Sequence, residues 1–327
     1  MKIQHFTLHT YTIPLISGKM RSGILIELLA DDEKRAWGEV APLPGWSKET
    51  YKEALNQLLE KKKAILDISW EAANFSQKLA SLNLFPSVIF GLESALLSLL
   101  APLPKQTVAT SALLMGTVDE ILKLASLRLK EGFTSAKLKV SNMRLQEAEQ
   151  VIWNLKDKFR LRIDVNRAWE TEESLRFFSQ FSQDAFDYVE EPFANPYDLN
   201  EFSHPLAVDE SFPHDLSLKQ LESLTPLKAV IYKPTLQGGL TNFTQLYEWA
   251  KEKKVEVVLS SSFESDIGIA SIASLAHRYS LLLPVGIGTY HYLKEKLCAP
   301  PLQFSNSTIS IPAHLIPKKD MLTSVGT

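Results

Sequence analysis

Five short stretches of this chain place lysines and carboxylates where acid–base chemistry could be assembled. Ala136-Lys137-Leu138-Lys139-Val140 carries two lysines two positions apart. Successive side chains on a strand point to opposite faces, so Lys137 and Lys139 share one face. Leu161-Arg162-Ile163-Asp164-Val165-Asn166 puts Arg162, Asp164 and Asn166 on one face and Ile163 and Val165 on the other. Two further runs close on acids, Tyr188-Val189-Glu190-Glu191-Pro192 and Ala207-Val208-Asp209-Glu210-Ser211, and Val230-Ile231-Tyr232-Lys233-Pro234 closes on a lysine. Taken singly, each has an ordinary explanation: a solvent-facing lysine pair, a surface strand, or an acid that caps the next helix. Taken together, Asp164, Glu190 and Asp209 end three successive strands. Adjacent strands lie about 4.8 Å apart, so the three carboxylates would converge and repel unless a cation fills the space. All-oxygen donors select a hard ion, and few protein ligands with room for water suit Mg²⁺. Lys233 would face the lysine pair across the site. A lysine acts as a base near neutral pH only if burial or nearby cations pull its pKa down; for Lys139 those neighbours would be Lys137 and the metal.

The elements that must carry these residues follow from the pattern of the chain. Beyond Pro102-Leu103-Pro104, short β runs recur at Val108–Leu114, Ser135–Val140, Leu161–Val165, Phe186–Glu190, Leu206–Val208, Ala229–Lys233 and Val255–Leu259. Helical segments lie between them at Val118–Glu131, Arg144–Lys156, Glu172–Phe181 and Asn242–Lys253. That is the spacing of βα units, and seven or eight of them predict a closed barrel, in which chemistry sits at the C-terminal strand ends. An open doubly wound sheet is the alternative, but no glycine-rich dinucleotide loop follows the first strand. Before Pro102, strands at Ile3–Tyr11, Gly23–Leu29 and Trp37–Val40 precede helices at Thr50–Ile65, with Ser47 as N-cap, and Ser87–Leu100. Strands followed by helices predict an α+β domain. The segment from Cys298 onward is expected to pack back on that first domain.

Composition narrows the function classes. A chain of 327 residues with 45% hydrophobic and 22% charged residues reads as an ordinary globular enzyme. A net charge of −3 offers no electrostatic case for nucleic acid or a membrane surface. The single cysteine, Cys298, permits no disulfide within the chain and reads as structural. The start of the chain lacks the apolar run of a signal peptide, and no apolar stretch is long enough to span a bilayer. The expected location is the cytoplasm.

The order K-x-K, D-x-N, E-E-P, D-E-S and a strand-end lysine resembles the enolase superfamily, in its muconate-cycloisomerase-like branch. Finer segments resemble the o-succinylbenzoate synthase family of the γ-proteobacterial type. These are Arg21-Ser22-Gly23, Trp37-Gly38-Glu39-Val40-Ala41-Pro42-Leu43-Pro44-Gly45, Pro86-Ser87-Val88-Ile89-Phe90-Gly91, Asp164 to Trp169, Lys233 to Leu236 and Ser260 to Ser265. The resemblance implies a modified TIM barrel, (β/α)7β, with an N-terminal α+β capping domain. The corresponding division is 1–104 for the capping domain with its lid loop, 105–295 for the barrel and 296–327 for a C-terminal segment. It also implies a site. Asp164, Glu190 and Asp209 would ligate Mg²⁺, with Mn²⁺ a substitute in vitro. Lys139 would be base and then acid, Lys137 would hold the substrate carboxylate, and Lys233 would set its charge against the ring or enediolate. Asn166 and Arg162 would support the metal shell. Ser261, Ser262 and Gly288 would border the succinyl tail, and a loop around Arg21 would close over the site. The reaction implied is syn dehydration of 2-succinyl-6-hydroxy-2,4-cyclohexadiene-1-carboxylate by a monomer, in menaquinone biosynthesis.

Two rivals remain at this stage. An N-succinylamino acid racemase or dipeptide epimerase would use Lys139 and Lys233 on opposite faces of its substrate. Gly286-Ile287-Gly288-Thr289-Tyr290 lacks the acid that a cationic dipeptide needs. A non-catalytic metabolite-binding barrel would have lost a lysine or a metal carboxylate, and all are present.

Overall fold

The computed structural model describes residues 1–326. It begins with strands β1 (Ile3–Pro14), β2 (Met20–Ala30) and β3 (Arg35–Val40), followed by helices α1 (Tyr51–Asp67), α2 (Phe75–Ala80) and α3 (Pro86–Leu100). The strands pair antiparallel in the order β1-β2-β3. One face packs on the helices through Ile24, Ile26, Leu28, Ala54, Leu58, Val88, Leu92 and Leu96. Thr50, not Ser47, caps α1: Thr50 and Glu53 form a reciprocal capping box. The Ser47 hydroxyl instead accepts the Leu43 N–H and closes the preceding turn. Helix α3 buries residues on every side, from Val88 to Leu99, because it lies between layers rather than on a surface. Contact between β3 and α3 is closer than side chains allow. A Cβ on Gly38 would lie 1.9 Å from the Gly91 carbonyl oxygen, and one on Gly91 would lie 2.5 Å from Val40 Cγ2.

The chain continues with strands β4 (Gln106–Ala109), β5 (Ala112–Leu114), β6 (Ser135–Lys139), β7 (Arg160–Asp164), β8 (Tyr188–Glu190), β9 (Leu206–Val208), β10 (Leu227–Tyr232) and β11 (Glu256–Leu259). The intervening helices are α4 (Val118–Lys130), α5 (Leu145–Leu155), α6 (Thr171–Phe178), α7 (Leu218–Leu221), α8 (Pro234–Gln237) and α9 (Leu240–Lys253), with α10 (Asp266–Arg278) after β11. Strands β5 to β11 form one seven-stranded sheet in sequential order. Its two edges meet at a short extended segment, since Val285 bridges Thr110 and Gly286 bridges Ser260, both in parallel. The α/β barrel of the (β/α)7β kind is therefore closed by residues 285–286.

The β run expected at Val108–Leu114 is two strands. The Thr110 N–H goes to Ser307 and the Ser111 N–H to Val285. Successive amides thus leave for different partners, and the strand breaks there. β4 pairs antiparallel with the C-terminal hairpin, while β5 joins the barrel beside β6. That hairpin is β12 (Gln303–Ser305) and β13 (Thr308–Ile311), and a last strand, β14 (Thr323–Val325), pairs with β1. Helix α10 was not anticipated. Its Ile, Ala and Gly residues are mostly buried, so it shows little of the polar face that marks a surface helix.

Candidate active site

Two-residue alternation sets the barrel interior. Tyr188, Ala207, Ala229, Ile231 and Val258 form an apolar cluster separate from the outer core, which holds Val189, Val208, Val230 and Tyr232. Counting two residues onward from that inner layer reaches Glu190 from Tyr188, Asp209 from Ala207 and Lys233 from Ile231. Pairing continues the row sideways: Lys139 lies opposite Asp164, and Asp164 opposite Glu190. The same register sets an apolar layer inside the barrel directly beneath the charged C-terminal strand ends.

The six residues expected to do chemistry come together. Lys137 Nζ lies 2.8 Å from Asp164 Oδ2 and 2.7 Å from Glu190 Oε1. Lys139 Nζ lies 3.1 Å from Asp164 Oδ2 and donates to Asn166 Oδ1 at 2.9 Å. Lys233 donates to Asp209. Asp164 and Glu190 are fully buried, whereas the Lys139 side chain is 33% exposed, the most open of the three lysines. Burial opposes charge on Asp164, yet Lys137 and Lys139 outweigh it and hold the carboxyl well below its ordinary range. Burial and then the Asp164 charge push Glu190 up. Burial pulls Lys137 down, but Asp164 and Glu190 overcome it and keep the ammonium charged. Lys233 is likewise held above its ordinary value by Asp209 and Glu210 against its burial.

The residues present fit a hard cation. Glu190 Oε2 and Glu210 Oε2 are buried without a hydrogen-bond partner, and unsatisfied buried carboxylate oxygens are costly. As arranged here, no three His, Cys, Asp or Glu side chains among the described residues close on one point. The lysine ammoniums sit among the carboxylates and carry the neutralising charge instead.

Several neighbours differ from expectation. Asn166 lies beyond the end of β7 in a left-handed conformation, φ 48°. Its Nδ2 donates to Glu210 Oε1 at 2.7 Å, which fixes Oδ1 toward Lys139. Arg162 does not reach the carboxylates. Its guanidinium bonds Asp187 Oδ2 at 3.0 Å and the Pro284 carbonyl, and lies 5.1 Å from the Tyr188 ring centroid. An arginine is long enough to turn toward the opposite, N-terminal end of the barrel, where Asp187 awaits it. Arg21 is not in a loop. It is buried on β2, and its guanidinium donates to the carbonyls of Ser22, Ala41, Pro42, Ser262 and Phe263, tying the first domain to the end of β11. The turn at 15–19 that joins β1 to β2 is itself held, by Ile16 N–H to Tyr292 O and Lys294 N–H to Pro14 O. Ser262 Oγ is buried without a partner, while Ser261 Oγ is used by Thr289 and by the Gly286 carbonyl. Gly288 packs on Leu113, where a Cβ would lie 2.6 Å from the leucine Cβ.

Sequence reading missed Trp46. It is 51% exposed and its ring lies 5.8 Å from Lys233 Nζ, which brings an apolar wall to the site. The only signal was an aromatic residue in a Pro- and Gly-rich loop. It also missed the role of Glu39, on β3. Glu39 accepts from Tyr11 OH, Ser265 N–H, Ser265 Oγ and Gly268 N–H, and so joins the first domain to the start of α10.

Comparison with known proteins agrees with this architecture. Residues 120–315 match the family model "Enolase C-terminal domain-like", and residues 3–99 match "MenC, N-terminal domain". The o-succinylbenzoate synthase of Vibrio cholerae is 32% identical, covering 95% of this chain and 96% of that protein. That of Haemophilus influenzae is 30% identical over 91% and 93%. In fold, the chain is similar to the L-Ala-D/L-Glu epimerase of Bacillus subtilis, with a TM-score of 0.84 at 19% identity over 97% and 99% of the two chains. It is also similar to a muconate lactonizing enzyme, with a TM-score of 0.82 at 18% identity over 98% of each. The C-terminal match gives the enolase-like class, the N-terminal match and the near full-length relatives narrow it, and the chain belongs to the o-succinylbenzoate synthase family of enolase-like proteins.

Proposed function

We propose that this chain dehydrates 2-succinyl-6-hydroxy-2,4-cyclohexadiene-1-carboxylate to 2-succinylbenzoate and water, a hydro-lyase step of menaquinone biosynthesis. The observation that carries the reading is the charged ring of strand ends: Lys137 and Lys139 on one side, Lys233 on the other, and Asp164, Glu190 and Asp209 between them. Enolase-superfamily sites use a lysine or histidine base with Mg²⁺. Asp164, Glu190 and Asp209 would hold the ion here, and its charge offsets that which develops on the substrate carboxylate when the α-proton leaves.

The chain's own residues do the rest. Lys139, the most open lysine, takes the proton from the carbon bearing the carboxylate and returns it to the departing hydroxyl on the same face. The C–O bond breaks, water leaves and the ring becomes aromatic. Lys137 stays charged beside Asp164 and Glu190 and holds a carboxylate oxygen. Lys233 presents its charge to the opposite face of the ring. The Glu210–Asn166–Lys139 chain orients the base. Ser262 Oγ, buried and unpartnered, offers a hydrogen bond to the succinyl tail. Within this reading the molecule divides at about residues 104 and 295, and it works as a cytoplasmic monomer.

The test is loss of diene absorbance with purified protein and Mg²⁺. Rapid loss that disappears with a chelator and in Lys139→Ala supports the assignment. Racemisation of an N-succinylamino acid is the second reading, because Lys139 and Lys233 flank one space. A dipeptide with a free ammonium is disfavoured by Gly286-Ile287-Gly288-Thr289-Tyr290, which offers no carboxylate. An inactive dehydratase that exchanges the α-proton of N-succinylamino acids into D₂O would move the assignment to the racemase.

A further inference from the structure

Away from the strand ends, a cavity of about 1340 Å³ lies among β3, α3, α10 and the C-terminal segment. Trp37, Phe90, Leu97, Leu275 and Ile311 give it apolar walls, and none of the catalytic lysines or carboxylates borders it. A space of this kind buries a small ring compound, with a few polar groups setting its orientation. Two polar groups stand ready. Arg278 closes α10, and its guanidinium donates to the Ala101 carbonyl but pairs with no carboxylate among the described residues. One helical turn earlier, Ser274 accepts from Gln106 Nε2 at 2.7 Å. Residues four apart share a helix face, so Gln106 is held beside Arg278. Gln106 is only 6% exposed, and its Oε1 is buried without a partner. Of the acids that share the cavity, Glu27 pairs with Arg35 at 2.6 Å and Glu93 accepts the Leu240 N–H, while Glu33 is exposed on the turn between β2 and β3.

We propose that this cavity is a second small-molecule site, which takes an amphipathic ring compound with its carboxylate on Arg278 and a hydroxyl on Gln106. Two of its walls, β3 and α10, are joined through Glu39, so an occupant braces the junction between the two domains. A ligand that binds only the folded form raises the melting temperature.

The probe is 6-hydroxy-2-naphthoate, titrated into the full chain by calorimetry and thermal melting, with the uncharged 6-hydroxy-2-naphthamide alongside. One saturable site is expected, retained in Lys233→Ala, about tenfold weaker for the amide, and weakened about tenfold in Arg278→Gln. Ser94→Trp fills the cavity from α3 with Arg278 left in the sequence, and abolishes binding. Absence of binding, equal binding of acid and amide, or binding lost in Lys233→Ala but kept in Arg278→Gln and Ser94→Trp would each overturn the proposal.

Discussion

At Lys137 one ammonium serves two buried carboxylates, at 2.8 and 2.7 Å. Removing one partner of a buried ion pair leaves charge stranded in a poor solvent, at a cost of about 3–5 kcal/mol. Lys137→Met is therefore expected to lower stability by about that amount in chelator, measured by urea unfolding. Added Mg²⁺ should restore part of the loss without restoring activity; no restoration would argue against a cation among these carboxylates. His291 makes the opposite kind of statement. Burial first, then the charges of Arg128 and Lys296, push its pKa from 6.5 down to about 3. It stays neutral in the fold while the unfolded chain protonates. Its stabilising contribution is complete above about pH 6.5 and is lost as pH falls toward about 3. The ring packs 4.6 Å from Phe304, so His291→Phe should keep the packing and lose less stability between pH 6.5 and 4 in denaturant melts. Equal acid sensitivity of the two proteins would remove His291 from the explanation.

Among the elements, the β3–α3 contact is the least tolerant. Gly38 and Gly91 belong to the segments that resembled the family most closely, yet neither approaches the chemistry: they let two backbones touch. Gly38→Ala pushes a methyl against the Gly91 carbonyl, and neither backbone can turn aside. A loss of more than about 3 kcal/mol is expected, read as a lower melting temperature with metal present. Unchanged melting would mean that β3 and α3 can separate. The same contact explains how Glu39 reaches Ser265 and Gly268, because β3 must lie flush on its neighbours for a glutamate to span the junction.

Over the whole molecule, the C-terminal segment works on both halves. β13 pairs with β4 beside the barrel, and β14 extends the first sheet along β1. A chain ended at Pro300 would expose both edges, and the melting temperature should fall by at least about 5 °C. An unchanged transition would show the segment to be dispensable. Along the remainder, no helix of the described residues is long and apolar enough to cross a membrane.

The candidate constellation was legible because it is periodic. A closed parallel barrel sends every second residue inward, so Lys137 and Lys139, Asp164, Glu190, Asp209 and Lys233 declare a common interior by parity alone. Strand order and spacing likewise declared the barrel. Residues whose partners lie far along the chain were not legible. Arg162 could turn toward Asp164 or away from it, and only the position of Asp187 and Pro284 decides. Arg21 reads as a loop residue until Ala41, Pro42, Ser262 and Phe263 are brought around it. The split between β4 and β5 depends on Ser307 and Val285, almost two hundred residues onward. Local alternation and spacing determine which residues face the barrel interior. Long-range packing decides what each long polar side chain does there, since its reach exceeds the distance between rival partners.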